Sequence, residues 1–300
     1  MTQTTRFAVS IPQQYADGTF DPAAFRDYLR RAEELGFHSA WTRESVLAPA
    51  PLPVLGPMEA MTYAAACTER LRVGCAVFIS TVHSPLHLAK SISTLDQLSR
   101  GRLEVGVALG GRDNLAGFGV SPEGLVSRFT EGIELMKTCW TEPKVGFDGR
   151  FWQVDAAMEP KPYQKPHPPL WIGGHKPAAV RRAVRHGDGF FGAGGATTAA
   201  FAEQVGIVRD ELARAGREPG SFRIAKRVYV SVGDDQRISG ILQRIYGDAS
   251  IAVAGPPEEC VRGLREVIEA GADLVLLDPM VDEPEQLELL AADVLPALQN

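Results

Sequence analysis

The sequence is poor in features that would decide its biology at once. No segment approaches the roughly 18 to 20 uninterrupted apolar residues of a membrane span, and no like-charge run reaches five residues. Lys and Arg number 31 against 37 Asp and Glu, a net charge of -6. That mildly acidic balance gives no electrostatic reason to expect nucleic acid or an anionic membrane as partner. The opening MTQTTRFAVSIP lacks the basic start, long apolar core and small-residue cleavage site of a secretory signal, so a cytoplasmic location is expected. The four cysteines, Cys67, Cys75, Cys139 and Cys260, are widely spaced with no CxxC, which favours free thiols over a disulfide framework or zinc site. GxSxG, P-loop and GxGxxG signatures are also missing, so hydrolase, kinase and dinucleotide-fingerprint readings have no support.

What the sequence does contain is alternation. Apolar runs of strand length at 7–11, 37–42, 71–78, 103–109, 170–172, 189–191, 222–232 and 274–277 are separated by helical patterns. The first helix shows the punctuation clearly, with Asp21 as N-cap, Pro22 at N1 and Gly36 past its end. Helices are expected over 22–35, 57–68, 85–98, 122–140, 177–186, 199–215, 256–270 and 284–298. Buried strands joined by helices call for a parallel sheet covered outside by helices. Eight such units in 300 residues fit a (β/α)8 TIM barrel better than an open doubly wound sheet. The pattern breaks at 142–168, where a hairpin around Phe147 and Trp152 precedes a proline-dense stretch, so one domain over 1–300 with an insertion between strands 4 and 5 is expected.

In such a barrel the active site lies at the C-terminal ends of the strands. That places Arg43-Glu44-Ser45 at the mouth, with 79–83 after strand three, 110–114 after strand four and 173–176 after strand five. At Gly173-Gly174-His175-Lys176-Pro177 a strand runs through two glycines into a helix; the unpaired N–H groups and positive dipole end there suit a phosphate, and Lys176 adds charge. The Gly110-Gly111-Arg112-Asp113-Asn114 loop reads equally as backbone able to approach a flat ligand or as a solvated network. His83 and His87 are four apart, but Pro85 between them starts a helix and no acidic partner completes a motif, so no metal is expected. The apolar 48–56 loop and the Trp152 hairpin suggest hydrophobic pocket walls or rim packing.

The runs TERLRVG (68–74), HSPLHLAK (83–90), TLDQLSRGRL (94–103), EPKP (159–162), PPLWIGG (168–174), GDGFF (187–191) and GPPEE (255–259) together resemble the luciferase-like flavin and deazaflavin oxidoreductases over nearly the whole chain. The resemblance implies a TIM barrel with an insertion and either coenzyme F-420, a deazaflavin used for hydride transfer, or FMN, used for oxygen insertion with flavin from a reductase. Compact length, and the short span before the helix at Pro256, are more similar to the deazaflavin branch. Carried over by position, the resemblance places the ring system against strand three, with a non-proline cis peptide at Ala76-Val77 and Ile79 just beyond. Leu109, Gly110 and Asn114 would line the coenzyme, and Gly174, His175, Lys176, Ala178 and Ala179 would hold its phosphate.

Departures matter too. Sugar-phosphate dehydrogenases of the family have an acidic residue followed by histidine after strand two and a glutamate after strand four, where this chain has Glu44-Ser45 and Gly111. That base and acid pair is absent here. The expected function is hydride transfer between coenzyme F-420 and a small organic substrate, with Glu44 as the first proton-transfer candidate and His83 the second, and with Arg43 as a competing ion-pair partner for Glu44. The alternatives are an FMN-dependent two-component monooxygenase and a non-catalytic flavin-binding protein. A homodimer is the expected assembly, since barrel helices often pair.

Overall fold

A computed structural model of the chain describes residues 5–15, 19–47, 53–111, 115–233 and 236–299. The chain begins with β1 (Arg6–Ser10), α1 (Pro22–Glu34), β2 (Ser39–Thr42), α2 (Pro57–Cys67) and β3 (Arg72–Ile79). It continues with α3 (Pro85–Leu98), β4 (Leu103–Ala108), α4 (Leu125–Thr141), the hairpin β5 (Val145–Asp148) and β6 (Gln153–Ala156), then β7 (Leu170–Gly174) and α5 (Pro177–His186). The rest is β8 (Gly189–Gly192), α6 (Thr198–Arg214), β9 (Arg223–Val232), α7 (Gln236–Tyr246), β10 (Ala252–Gly255), α8 (Pro257–Glu269) and β11 (Leu274–Asp278), ending in α9 (Glu283–Leu289), a π-turn at Leu290–Val294, and α10 (Leu295–Gln299).

Eight parallel strands close the expected barrel in the order β9-β11-β1-β2-β3-β4-β7-β8, with β8 returning to β9. Tyr229 is matched to Asp278 of β11 and to Ala252 of β10, so β10 extends the edge of β9 that β8 has left. The span between strand seven and the helix after Pro256 is therefore not a bare connection, because it holds α7 and β10. Both are short, and Gly240 inside α7 weakens its helical signal. At the fourth helix, Gly124 takes a left-handed φ of 64°, so the helix starts at Leu125 instead of near Pro122.

Local chemistry explains the elements that position the mouth. Asp21 accepts from the N–H groups of Ala23 and Ala24 at 2.8 and 3.2 Å, and Thr197 caps α6 through the Ala200 N–H at 3.2 Å. α5 differs: its N-cap is Lys176, which offers no side-chain acceptor to the first turn. The barrel interior is filled by Trp41, Trp171 and Phe191 packed edge to face, with ring centroids 5.0 to 6.1 Å apart, on Ala8, Ala225, Leu274 and Leu276. Below them Trp171 Nε1–H donates to Glu104 at 2.7 Å, and Arg72 Nε meets the same carboxylate at 2.6 Å. A filled interior leaves room for a ligand at the mouth.

The insertion is anchored to the helix layer. Glu131 of α4 accepts the N–H groups of Arg150, Phe151 and Trp152 at 3.1, 2.7 and 3.1 Å. The Trp152 ring lies under the Arg128 guanidinium at 4.7 Å, so it is spent on α4 as rim packing. Asp96 of α3 takes both the backbone and side-chain N–H of Gln164 at 2.8 Å, fixing the proline-rich stretch. Among the described residues no helix is long and apolar enough to cross a membrane.

Candidate active site

At the end of β2 the chain carries Arg43 and Glu44 in opposite directions. Gln13 grips the Arg43 backbone, accepting its N–H at 2.6 Å and donating to its carbonyl at 3.1 Å. Glu44 turns toward β3. Its side chain is 1% exposed; Oε2 accepts the Ile79 N–H at 2.5 Å and Oε1 lies 2.7 Å from His83 Nε2. The expected competition from Arg43 does not occur: Arg43 makes no ion pair or hydrogen bond through its guanidinium among the described residues and lines a cleft with Arg227, Asp278 and Glu283. The reason is alternation. Trp41 points into the barrel and so does Arg43, two residues on, while Glu44 falls on the β3 side.

His83 follows the short turn after β3, and its ring meets Phe78 edge to face at 6.1 Å. Its Nδ1 has no hydrogen-bond partner among the described residues, and the side chain is 31% exposed, so the imidazole is tethered at one nitrogen and open at the other. The Ala76–Val77 peptide bond is cis, at the position implied by the family resemblance, and the β3–β4 register shifts between Cys75 and Phe78. Ala76, Val77, Ile79, Leu109 and Gly110 are all half-buried around this bulge.

Beside it the backbone leaves a cradle. A Cβ on Gly173 would sit 3.0 Å from Val77 Cγ1, and one on Gly174 only 2.5 Å from Ala179 Cβ. Gly110 has a φ of +76°, and a Cβ there would strike Ile79 Cγ2 at 2.3 Å. His175, Lys176 and Ala178 are exposed at the start of α5. Ala179 is a partial exception to the expected phosphate set, since its N–H already donates to the Lys176 carbonyl at 2.8 Å and its methyl group packs on Gly174. Asn114, with Arg112 and Asp113, lies outside the described residues. Flat glycine-lined backbone next to an open helix N-terminus suits a planar ring system with a phosphate tail, so the residues present fit a flavin-like coenzyme.

Two supports were not expected from the sequence. Gln204 of α6, buried, donates to the His175 carbonyl at 3.3 Å and so links α6 to the turn before α5. Lys226 of β9 is also buried, and its ammonium donates to the Ala193 and Ala196 carbonyls of the loop after β8. Burial, assisted by the neighbouring Arg227, pushes the Lys226 amine down to about 7. The cleft opposite, between the ends of β1, β2, β9 and β11, was missed as well; Arg227 lies 3.3 Å from Asp278 there, and both side chains are largely buried. The available signal was two adjacent charges, Lys226-Arg227, inside a largely apolar strand.

A family model described as luciferase-like monooxygenase matches residues 4–238. An F-420-dependent glucose-6-phosphate dehydrogenase from Nakamurella multipartita is 27% identical, covering 93% of this chain and 94% of that protein. Two solved structures share the fold. Monooxygenase RslO1 from Streptomyces bottropensis superposes with a TM-score of 0.80 at 23% identity, covering 97% of this chain and 99% of its own. An F-420-dependent secondary alcohol dehydrogenase, solved with an F-420–acetone adduct, superposes with a TM-score of 0.85 at 19% identity over 99% of this chain and 100% of its own. Matched over most of its length and folded as a (β/α)8 barrel, the chain belongs to the luciferase-like monooxygenase family.

Proposed function

We propose that this protein is an oxidoreductase that uses coenzyme F-420 to move a hydride to or from a small organic substrate. The observation that carries this reading is the pairing, at one mouth, of the Gly173-Gly174 cradle and open α5 N-terminus with the tethered His83. The F-420-dependent relative that spans 93% of the chain supports the deazaflavin over FMN. When bound, the coenzyme supplies or accepts a hydride, with both electrons, at C5. Val77, Ile79, Leu109, Gly110 and Gly173 would support its ring, Asn114 would join them, and Gly174, His175, Lys176 and Ala178 would hold its phosphate, with Ala179 packed on Gly174 as part of the turn.

Reduction of a carbonyl also requires one proton at oxygen, and the reverse reaction must remove one. His83 is the group we assign to that transfer, through Nδ1. Glu44 has both oxygens committed and almost no exposure, so it acts through its neighbours. It holds His83 by Nε2 and fixes the β3 bulge by the Ile79 N–H. In this reading Glu44 is a positioning residue and His83 the catalytic one. The chain would act as one domain with an insertion at 142–168, as a homodimer in the cytoplasm.

Titration with coenzyme F-420 and with FMN, each oxidised and reduced, tests the assignment. Saturable binding of the deazaflavin and oxygen-independent turnover are expected. Preferential binding of reduced FMN with oxygen-dependent product would replace this reading by the monooxygenase, and binding without turnover across a ketone and alcohol panel would favour a flavin-binding protein.

A further inference from the structure

The cleft opposite His83 is lined by groups that the hydride reading leaves unused: Ser10, Gln13, Arg43, Arg227, Asp278 and Glu283. Gln13 is 4% exposed and clamps the Arg43 backbone with both ends of its amide, donating as well to the Leu55 carbonyl at 2.9 Å. That clamp fixes the backbone from which the Arg43 side chain leaves toward the cleft. Nothing in the described chain uses its hydrogen-bonding capacity. Arg227 is similarly underused. Its Nε–H is buried with no hydrogen-bond acceptor, and although Asp278 Oδ2 lies 3.3 Å away, it is off the line that a hydrogen bond needs.

Two guanidinium groups thus face one small cleft with most of their N–H donors unspent. A buried donor left without an acceptor is costly, so a ligand that supplies acceptors gains and one that supplies none is rejected. An anion gains most, since a charge-assisted bond to a guanidinium fork is roughly twice as strong as a neutral one. Asp278 and Glu283 set how much negative charge the cleft accepts. Asp278 already offsets one arginine, and a doubly charged phosphate would be held next to both carboxylates. Glu283 lies within the electrostatic reach of Arg43, but burial and the neighbouring Asp278 and Asp282 raise its carboxyl and so weaken that offset, and no carboxylate among the described residues makes an ion pair with the Arg43 guanidinium, so one further negative charge suits the cleft better than two.

We propose that the substrate bears a carboxylate, and that Arg43 and Arg227 hold it in the cleft between the ends of β1, β2, β9 and β11. The assignment deepens the hydride-transfer reading, on which it rests for calling the ligand a substrate. Selection at this site then falls on the acid end of the molecule, leaving the reacting carbon to the other half of the mouth.

Calorimetric titration of the full chain without coenzyme tests this directly. The probes are 2-oxo and 2-hydroxy carboxylates of three to six carbons, their methyl esters, and glucose 6-phosphate with inorganic phosphate as the phosphate arm. At least one carboxylate is expected to saturate with a dissociation constant below ~10 mM while its ester does not. Arg43→Gln, checked by its melting temperature to be folded, is expected to weaken that carboxylate by about 10- to 100-fold, with Arg43→Lys recovering part of the loss. Absence of binding by every carboxylate, equal binding of acid and ester, tighter binding of either phosphate compound, or an unchanged affinity in Arg43→Gln would each overturn the proposal. A separate titration with coenzyme F-420 keeps the two readings apart. Its failure removes the hydride assignment and leaves the carboxylate result standing.

Discussion

The two halves of the barrel mouth are built on different physical terms. On the β3, β4 and β7 side, the buried charge among the described residues is committed: the Glu44 carboxylate is 1% exposed and both its oxygens are occupied, while Lys176 stands exposed at the rim. Between His83 and the exposed start of α5, the described surface is glycine backbone and aliphatic side chains. On the β1, β9 and β11 side, two arginines and two carboxyl groups share one cleft and the arginines' donors are largely unspent. A saturated polar network holds a shape, whereas an unsaturated one awaits a ligand. The first half therefore reads as the place for a bulky, flat coenzyme and the second as the place where a small polar molecule is chosen.

The largest effect is expected at Glu44. Glu44→Ala leaves the Ile79 N–H and His83 without their acceptor, and should cost about 2 to 4 kcal/mol in denaturant unfolding. Under the proposed function, kcat/KM should drop about a hundredfold or more, as for the loss of a group that orients a catalytic side chain. Asp278→Asn probes the charged half. Loss of its charge leaves Arg227 largely buried without a counter-ion, with an expected cost of about 1 to 3 kcal/mol in thermal unfolding. Carboxylate affinity should hold or rise in that variant, because an acidic competitor for Arg227 has gone; a fall would contradict the division of the mouth.

Gly174→Ala tests the cradle without touching a charge. The added methyl group would sit 2.5 Å from Ala179 Cβ and force α5 outward, so coenzyme affinity measured by fluorescence titration should weaken about tenfold with carboxylate binding unchanged. Lys226 supplies a pH signature. Its folded pKa of about 7 lies below the ordinary 10.5, so the unfolded chain holds the extra proton between those values. Stability should therefore rise as pH increases through that window, and Lys226→Met should flatten the rise in melting temperature between pH 7 and 9. The smallest effect is expected at exposed Lys176, where alanine should weaken coenzyme binding only about threefold, with loss of part of its salt dependence.

Much of this was legible in the chain. The barrel strands could be placed because each is a short apolar run bounded by glycine, proline or a capping residue, and Asp21, Ser84 and Thr197 cap helices through local hydrogen bonds. The Gly173–Lys176 turn was readable in part for the same reason, since the demand for glycine at 174 comes from Ala179 five residues on, whereas that at 173 comes from Val77 on another strand. α7 and β10 were harder: one is weakened by Gly240, and the other is a four-residue strand supported only by its pairing with β9.

The arginine and glutamate after β2 mark the boundary. Their adjacency in sequence suggests an ion pair, yet Gln13 fixes the backbone between them, one side chain bonds His83 and the other lines the cleft that Arg227 also lines. The alternation of strands and helices, the capping signals and the glycine turn were readable from the chain because they depend on contacts within a few residues. Barrel closure is what brings Arg43 to line one cleft with Arg227 and Asp278 from the far end of the chain, and what spends Glu44 on Ile79 and His83. Closing a barrel sets which strand ends become neighbours, and the pleat at the end of β2 sets which way each side chain leaves; neither is encoded in the local composition of SAWTRESV.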